Sequence, residues 1–176
     1  MHPVSNPSNC GERGHPPPNS SCATERGSRI LHFIDTSALL KLFVAEQGSD
    51  NILRFTQAED DRNKVVSALA QIEARSAICR LRKGNRMSSS EASLALDALT
   101  GEMRRMIEQP VNPPVLEAAS TLIDRHSLRS MDAVQLGCAI VARDLLAAPD
   151  MRFVASDIEL LNAAHAEGFD TWNPCD

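Results

Sequence analysis

From residue 30 onward, short apolar runs alternate with longer stretches in which apolar residues recur every three or four positions. Apolar runs bounded by turn residues read as buried strands, and the three-to-four spacing reads as amphipathic helix. "RILHFID" is the first strand and "TSALLKLFVAE" the helix it feeds, closed near Gly48. A second helix covers "SDNILRFTQAE", and the charged turn "DDRNK" leads into a short strand at 65–66. Ser67 caps a long helix running to Arg82, which "KGN" ends. The next helix is "MSSSEASLALDALTGEMRRMIEQ", where Ser88 or Ser89 caps and Glu91 answers as the capping-box partner. "PVNP" suits a brief strand and turn, and "PPVLEAASTLIDRHS" a helix with proline near its first position. "SMDAVQLGCAIVARDLLAA", capped by Ser130, is apolar nearly all round and so reads as buried. "RFVAS" is a strand, "DIELLNAAHAEG" a helix closed by glycine, and "FDTW" the last strand. Strands alternating with helices predict an α/β domain with a central, mainly parallel sheet.

Composition narrows this picture. With 176 residues, 43% of them apolar, the chain can bury one sizeable core, and residues 30–174 form the predicted domain. Residues 1–29, "MHPVSNPSNCGERGHPPPNSSCATERGSR", hold half of the ten prolines and are expected to be a disordered tail. No apolar run approaches the roughly 20 residues that span a bilayer, and the N-terminus lacks the apolar centre of a secretory signal. The five cysteines are scattered, with no C-x-x-C spacing, which points to a reduced, cytoplasmic setting without a disulfide framework or zinc site. Walker A and G-x-G-x-x-G patterns are both missing, so nucleotide binding by those routes is excluded.

Candidate chemistry lies in four carboxylates. Asp35 follows the first strand directly, and ligands gather beyond the carboxyl ends of parallel strands. Asp is also a favoured helix N-cap, so position alone leaves both readings open. Asp157 repeats the arrangement after "RFVAS", and in a parallel sheet it emerges at the same edge as Asp35. On the helix after Ser67, Gln71, Arg75 and Arg82 share one face at about 100° per residue. Glu73 projects to the other side, near Leu69, Ser76 and Ala77. An inward carboxylate is costly unless paired or metal-bound. Arg80 points the same way, but seven residues is about 10 Å of rise, a stretch for a direct pair. Asp132 sits in the first turn of the buried helix, where an acid also suits the helix dipole. Converging carboxylates repel one another without a cation, and hard cations such as Mg²⁺ take oxygen ligands.

These residues give the chain its resemblance to a PIN domain, of the kind found in the VapC-type ribonuclease toxins of bacterial toxin–antitoxin pairs. "FIDTSALLKLF", "VVSALAQIEARSAI", "LRSMDAVQLGCAI" and "FVASDIELLNAA" with "GFDTWNP" match the family's acidic blocks in order, over residues 30–173. The chain departs from the usual pattern in its tail, in Met131, and in "AAPDM" before the last acidic strand, but keeps every acidic position. The resemblance implies a three-layer α/β/α fold and an acidic pocket for Mg²⁺ or Mn²⁺, with Asp35, Glu73, Asp132 and Asp157 as ligands and catalytic groups. It also implies that Ser37 and Ser156 orient the acids, unless they merely cap helices. The implied reaction is hydrolysis of single-stranded or looped RNA to leave a 5′-phosphate. The implied partners are a cognate antitoxin and a second copy of the chain in a homodimer.

A net charge of −5 argues against blanket attraction to nucleic acid, although binding depends on local charge. Arg75, Arg80, Arg82, Lys83 and Arg86 follow one another without an acid; Arg80 and, near Asp132, Arg129 are the candidates for RNA phosphates. With no tyrosine and one tryptophan, base stacking is not a broad recognition mode. Two rival readings fit parts of this pattern. A haloacid-dehalogenase-like phosphatase needs a second aspartate where Ser37 stands. A PIN-like scaffold that binds RNA or protein without cutting does not need four intact acids.

Overall fold

The computed structural model describes residues 30–176, and the expected tail at 1–29 lies outside them. Among the described residues five strands are formed: β1 (His32–Ile34), β2 (Lys64–Ser67), β3 (Ile107–Gln109), β4 (Arg152–Val154) and β5 (Asp170–Trp172). Seven α-helices connect them: α1 (Thr36–Leu39), α2 (Ser49–Ala58), α3 (Ala70–Lys83), α4 (Ser89–Met103), α5 (Pro113–His126), α6 (Ser130–Leu145) and α7 (Ile158–Ala166). The sheet order is β3-β2-β1-β4-β5, and every pairing is parallel, so the expected mainly parallel sheet is parallel throughout.

Alternation along the three central strands divides the interior in two. Phe33, Val65 and Phe153 face α5, α6 and α7, and Phe33 stacks on Phe153 with ring centroids 5.5 Å apart. Ile34, Val66 and Val154 face the other way, into a core shared with α1, α2, α3 and α4. The result is three layers, helices on both faces of a buried sheet. α5 lies close on α6 because Gly137 leaves room: a Cβ there would come within 2.9 Å of the Val115 carbonyl oxygen.

The chain winds outward from β1 through β2 to β3, then returns to β4 on the other side of β1. The crossovers from β1 cover one face and those after β3 the other, so a crevice opens at the carboxyl ends of β1 and β4, the topological switch point.

Several boundaries differ from the pattern-based expectation. The first helix is one turn, continued by a 3-10 turn at Leu40–Leu42, and does not reach Gly48. Leu40, Leu42, Phe43 and Val44 all pack on the same core, which a straight helix could not arrange. α4 stops at Met103, and β3 forms from Ile107–Gln109 rather than from "PVNP". Glu and Gln are good helix formers, but pairing with β2 outweighs that propensity. Ser67 ends β2, its hydroxyl accepting from the Leu69 N–H at 3.1 Å, and Leu69 is the N-cap of α3. Arg129, not Ser130, is the N-cap of α6. Ser88 and Glu91 do form the capping box on α4.

Candidate active site

Asp35 stands where β1 becomes α1 and is 5% exposed. It is an N-cap and also a site candidate, so the two readings of its position coincide: its Oδ2 accepts from the Ser37 N–H at 2.8 Å. Its own N–H donates to the Val154 carbonyl at 2.9 Å, which seats the turn against β4. Burial pushes the carboxyl up from 3.8 to about 6, hydrogen bonds from Ser37 oppose this, and the nearby Glu73 charge adds to it. The Ser37 hydroxyl accepts from the Ser156 N–H at 2.9 Å and so ties the turn after β1 to the turn after β4. Neither serine caps a helix; Asp35 and Asp157 do. Ser156 contributes its backbone N–H, and its buried hydroxyl has no partner among the described residues.

Glu73, in the first turn of α3, is half-buried beside Ala70 and Ala74. Its Oε2 accepts from the Thr36 hydroxyl at 2.8 Å and from the Gln135 side-chain amide, whose Nε2 also donates to Thr36 Oγ1 at 2.9 Å. These are its partners in place of Arg80, which is exposed and donates to Ser76 on its own helix at 2.8 Å. Ser76 itself is exposed rather than sharing the inward side with Glu73. Neither Thr36 nor Gln135 is singled out by the sequence reading. The signals for them are modest: the hydroxyl next to Asp35, and an amide three residues after Asp132 in an apolar helix.

Asp132, in the first turn of α6, is partly exposed. Burial raises its carboxyl above the ordinary range, followed by the Asp157 charge; Arg129 acts in the opposite direction, and Glu73 and Glu159 raise it further. Arg129 therefore lies within electrostatic reach of Asp132, whereas Arg80 bonds within α3. Asp157 caps α7, its Oδ1 accepting from the Leu160 N–H at 3.0 Å. The Glu73 charge acts on Asp35, and the Asp157 and Glu73 charges act on Asp132, which links the four residues into one acidic neighbourhood.

Among the described residues, no three His, Cys, Asp or Glu side chains form a ready-made metal cage. The donor set nevertheless suits a hard cation. It is all oxygen, and Mg²⁺ ordinarily keeps several waters and takes only one or two carboxylates. A buried carboxyl raised by its own burial and by a like charge is the kind of group a cation would favour in the ionised form. A cavity of about 630 Å³ lies elsewhere, lined among others by Phe43, Leu53, Lys64 and Arg105, and holds none of the four acids. Lys64 there is committed to Asp61 at 2.6 Å and to the Thr56 carbonyl at 2.7 Å. Among the described residues, Cys79, Cys138 and Cys175 are unpaired, and no helix is long and apolar enough to cross a membrane.

Comparison with known proteins agrees with this architecture. The PIN domain family model matches residues 32–158. Among solved structures, PAE2754 from Pyrobaculum aerophilum is similar at 17% identity and a TM-score of 0.58, covering 83% of this chain and 90% of its own. The sarcin-ricin-loop-cleaving toxin VapC20 of Mycobacterium tuberculosis is similar at 20% identity and a TM-score of 0.55, covering 78% and 95%. A toxin–antitoxin complex from Klebsiella pneumoniae gives 13% identity and a TM-score of 0.54, covering 81% and 97%. Comparison with curated protein sequences gives no significant match.

Proposed function

Because the chain belongs to the PIN domain family, we propose that it is a metal-dependent endoribonuclease acting on single-stranded or looped RNA, and the toxin of a type II toxin–antitoxin pair. What supports the reading is that Glu73 acts on Asp35, and Glu73 and Asp157 act on Asp132, beside the hydrogen-bonded turns that follow β1 and β4. The VapC20 toxin and the Klebsiella pneumoniae toxin–antitoxin complex, similar in fold, support the toxin assignment. The partners proposed with it are an RNA substrate, a cognate antitoxin, and a second copy of the chain in a homodimer.

Asp35, Glu73, Asp132 and Asp157 would hold Mg²⁺ or Mn²⁺, directly or through water. Such a cation, when bound, supplies Lewis acidity toward the phosphodiester and lowers the pKa of a bound water. The protein's own part is placement. Ser37 fixes Asp35 and joins the turns carrying Asp35 and Asp157, while Thr36 and Gln135 hold Glu73. Arg129, beside Asp132, is the better candidate for an RNA phosphate; Arg80, bonded to Ser76 on the same helix, is the weaker one.

The test is cleavage of a mixed RNA panel by the purified chain with Mg²⁺, with EDTA, and by Asp35→Ala. Cleavage that needs the cation and disappears in the variant supports the nuclease. RNA binding without cleavage in wild type would replace it with the scaffold reading. Growth arrest on induction in a bacterial host, relieved by co-expressing the adjacent small gene product, tests the toxin assignment separately.

A further inference from the structure

Gln135 is 2% exposed, a primary amide among the apolar residues of α6 and one turn beyond Asp132. Its Nε2 donates to Glu73 Oε2 and to Thr36 Oγ1, and Thr36 Oγ1 donates to the same Glu73 oxygen. A carboxylate only accepts, a threonine hydroxyl has one hydrogen, and a primary amide has two. Those counts close the triangle in one way. Both amide hydrogens and the hydroxyl hydrogen are used, and two of the three point at Glu73.

The other end of the amide is informative too. Gln135 Oε1 is buried and has no partner among the described residues. Turning the amide over would aim that oxygen at the Glu73 carboxylate, which is worse. A methionine would fill a similar volume without leaving a buried carbonyl unsatisfied, so packing does not account for an amide here. What remains is the pair of N–H donors, and they act on Glu73.

We propose that Gln135 is a positioning residue: with Thr36 it fixes the Glu73 carboxylate through Oε2 and leaves Oε1 as the oxygen free to serve a divalent cation. Among the described residues, none donates a hydrogen bond to Glu73 Oε1. The triangle also crosses the molecule. Thr36 and Glu73 belong to α1 and α3 on one face of the sheet, and Gln135 to α6 on the other. Gln135 thereby keeps Glu73 in register with Asp132 on its own helix. This inference rests on the metal-dependent reading above.

The experiment compares wild type, Gln135→Met, Glu73→Ala and the double variant, titrating Mn²⁺ by loss of the free-ion paramagnetic resonance signal and measuring RNA cleavage. Gln135→Met is expected to weaken Mn²⁺ binding and lower kcat by about 10–100-fold, the range for groups that orient metal ligands, with KM within about twofold. On the Glu73→Ala background the same change is expected to add less than about twofold, because its effect passes through Glu73. Wild-type Mn²⁺ affinity in Gln135→Met, or an equal loss with and without Glu73, overturns the proposal. Should Gln135→Met fail to fold, Thr36→Val carries the same comparison, since it removes the other donor to Oε2. Wild type that binds Mn²⁺ yet cleaves no RNA would end the nuclease reading and leave the Mn²⁺ comparison to decide Gln135. Wild type that binds no Mn²⁺ would end both.

Discussion

Asp35 and Asp132 both feel the charge of Glu73, yet their surroundings have little in common. Asp35 is sealed between β1 and β4, accepts from the Ser37 N–H, and has Glu73 for a neighbour that is itself held by Thr36 and Gln135. Asp132 is partly exposed, accepts no hydrogen bond from any described residue, and has Asp157 and Arg129 within electrostatic reach. One half of the acidic neighbourhood is closed and preset, while the other is open to solvent. The closed half holds like charges that folding must keep together, whereas in the open half Asp132 is held by no hydrogen bond from a described residue. On the proposed function, a site that must place oxygens accurately and still admit RNA would need both properties.

The comparison breaks most sharply at Asp35. Asparagine caps a helix as well as aspartate does, so Asp35→Asn keeps the Ser37 contact while removing the buried charge. Cleavage is expected to fall by more than about 100-fold, beyond the range for groups that only orient a ligand. The cation-free variant is expected to be more stable than wild type at pH 7, read from denaturant midpoints. Loss of activity without that gain would mean that the closed half stores no repulsion.

The pH dependence follows from the same group. Asp35 has its carboxyl raised from 3.8 to about 6, so folding favours the protonated form. Stability of the cation-free protein is then undiminished by this group below pH 3.8 and declines as the pH rises through about 6, by about 3 kcal/mol at most. Added Mg²⁺ should restore stability at pH 7 in wild type and restore less in Asp35→Asn, measured as melting-temperature shifts in one buffer series.

Smaller effects separate the seam from the open half. Ser37→Ala removes the acceptor for the Ser156 N–H and is expected to cost about 1 kcal/mol in chemical denaturation. Asp157→Ser keeps a capping oxygen for the Leu160 N–H, so stability should change by less than about 0.5 kcal/mol. A larger destabilisation in Asp157→Ser than in Ser37→Ala would reverse the assignment of closed and open halves.

Asp35 and Asp157 are legible in the sequence because a strand, an acid and a helix follow one another twice, and a parallel sheet brings both to one edge. Glu73 is legible because helix phase turns it from the side of Arg75 and Arg82. Helix phase cannot say what meets it, and Arg80, the partner it offers, bonds to Ser76. Thr36 is masked by the acid before it, and Gln135 by the apolar helix around it, since one polar residue hardly alters a periodic pattern. β3 is hidden for a related reason: Ile107–Gln109 has too few apolar residues to interrupt a helical reading.

By itself the sequence determined the alternation of strands and helices, the two-sided burial of the central strands, and the positions of four acids relative to their own elements. Periodicity and capping act over a few residues, and a linear pattern records them. The tertiary structure alone decided that Thr36, Glu73 and Gln135, the first two 37 positions apart and the last two 62, close a single hydrogen-bonded triangle. Donor and acceptor counts can be satisfied in many ways along a chain. Only the packing of α6 across the sheet edge from α1 and α3 selects this one.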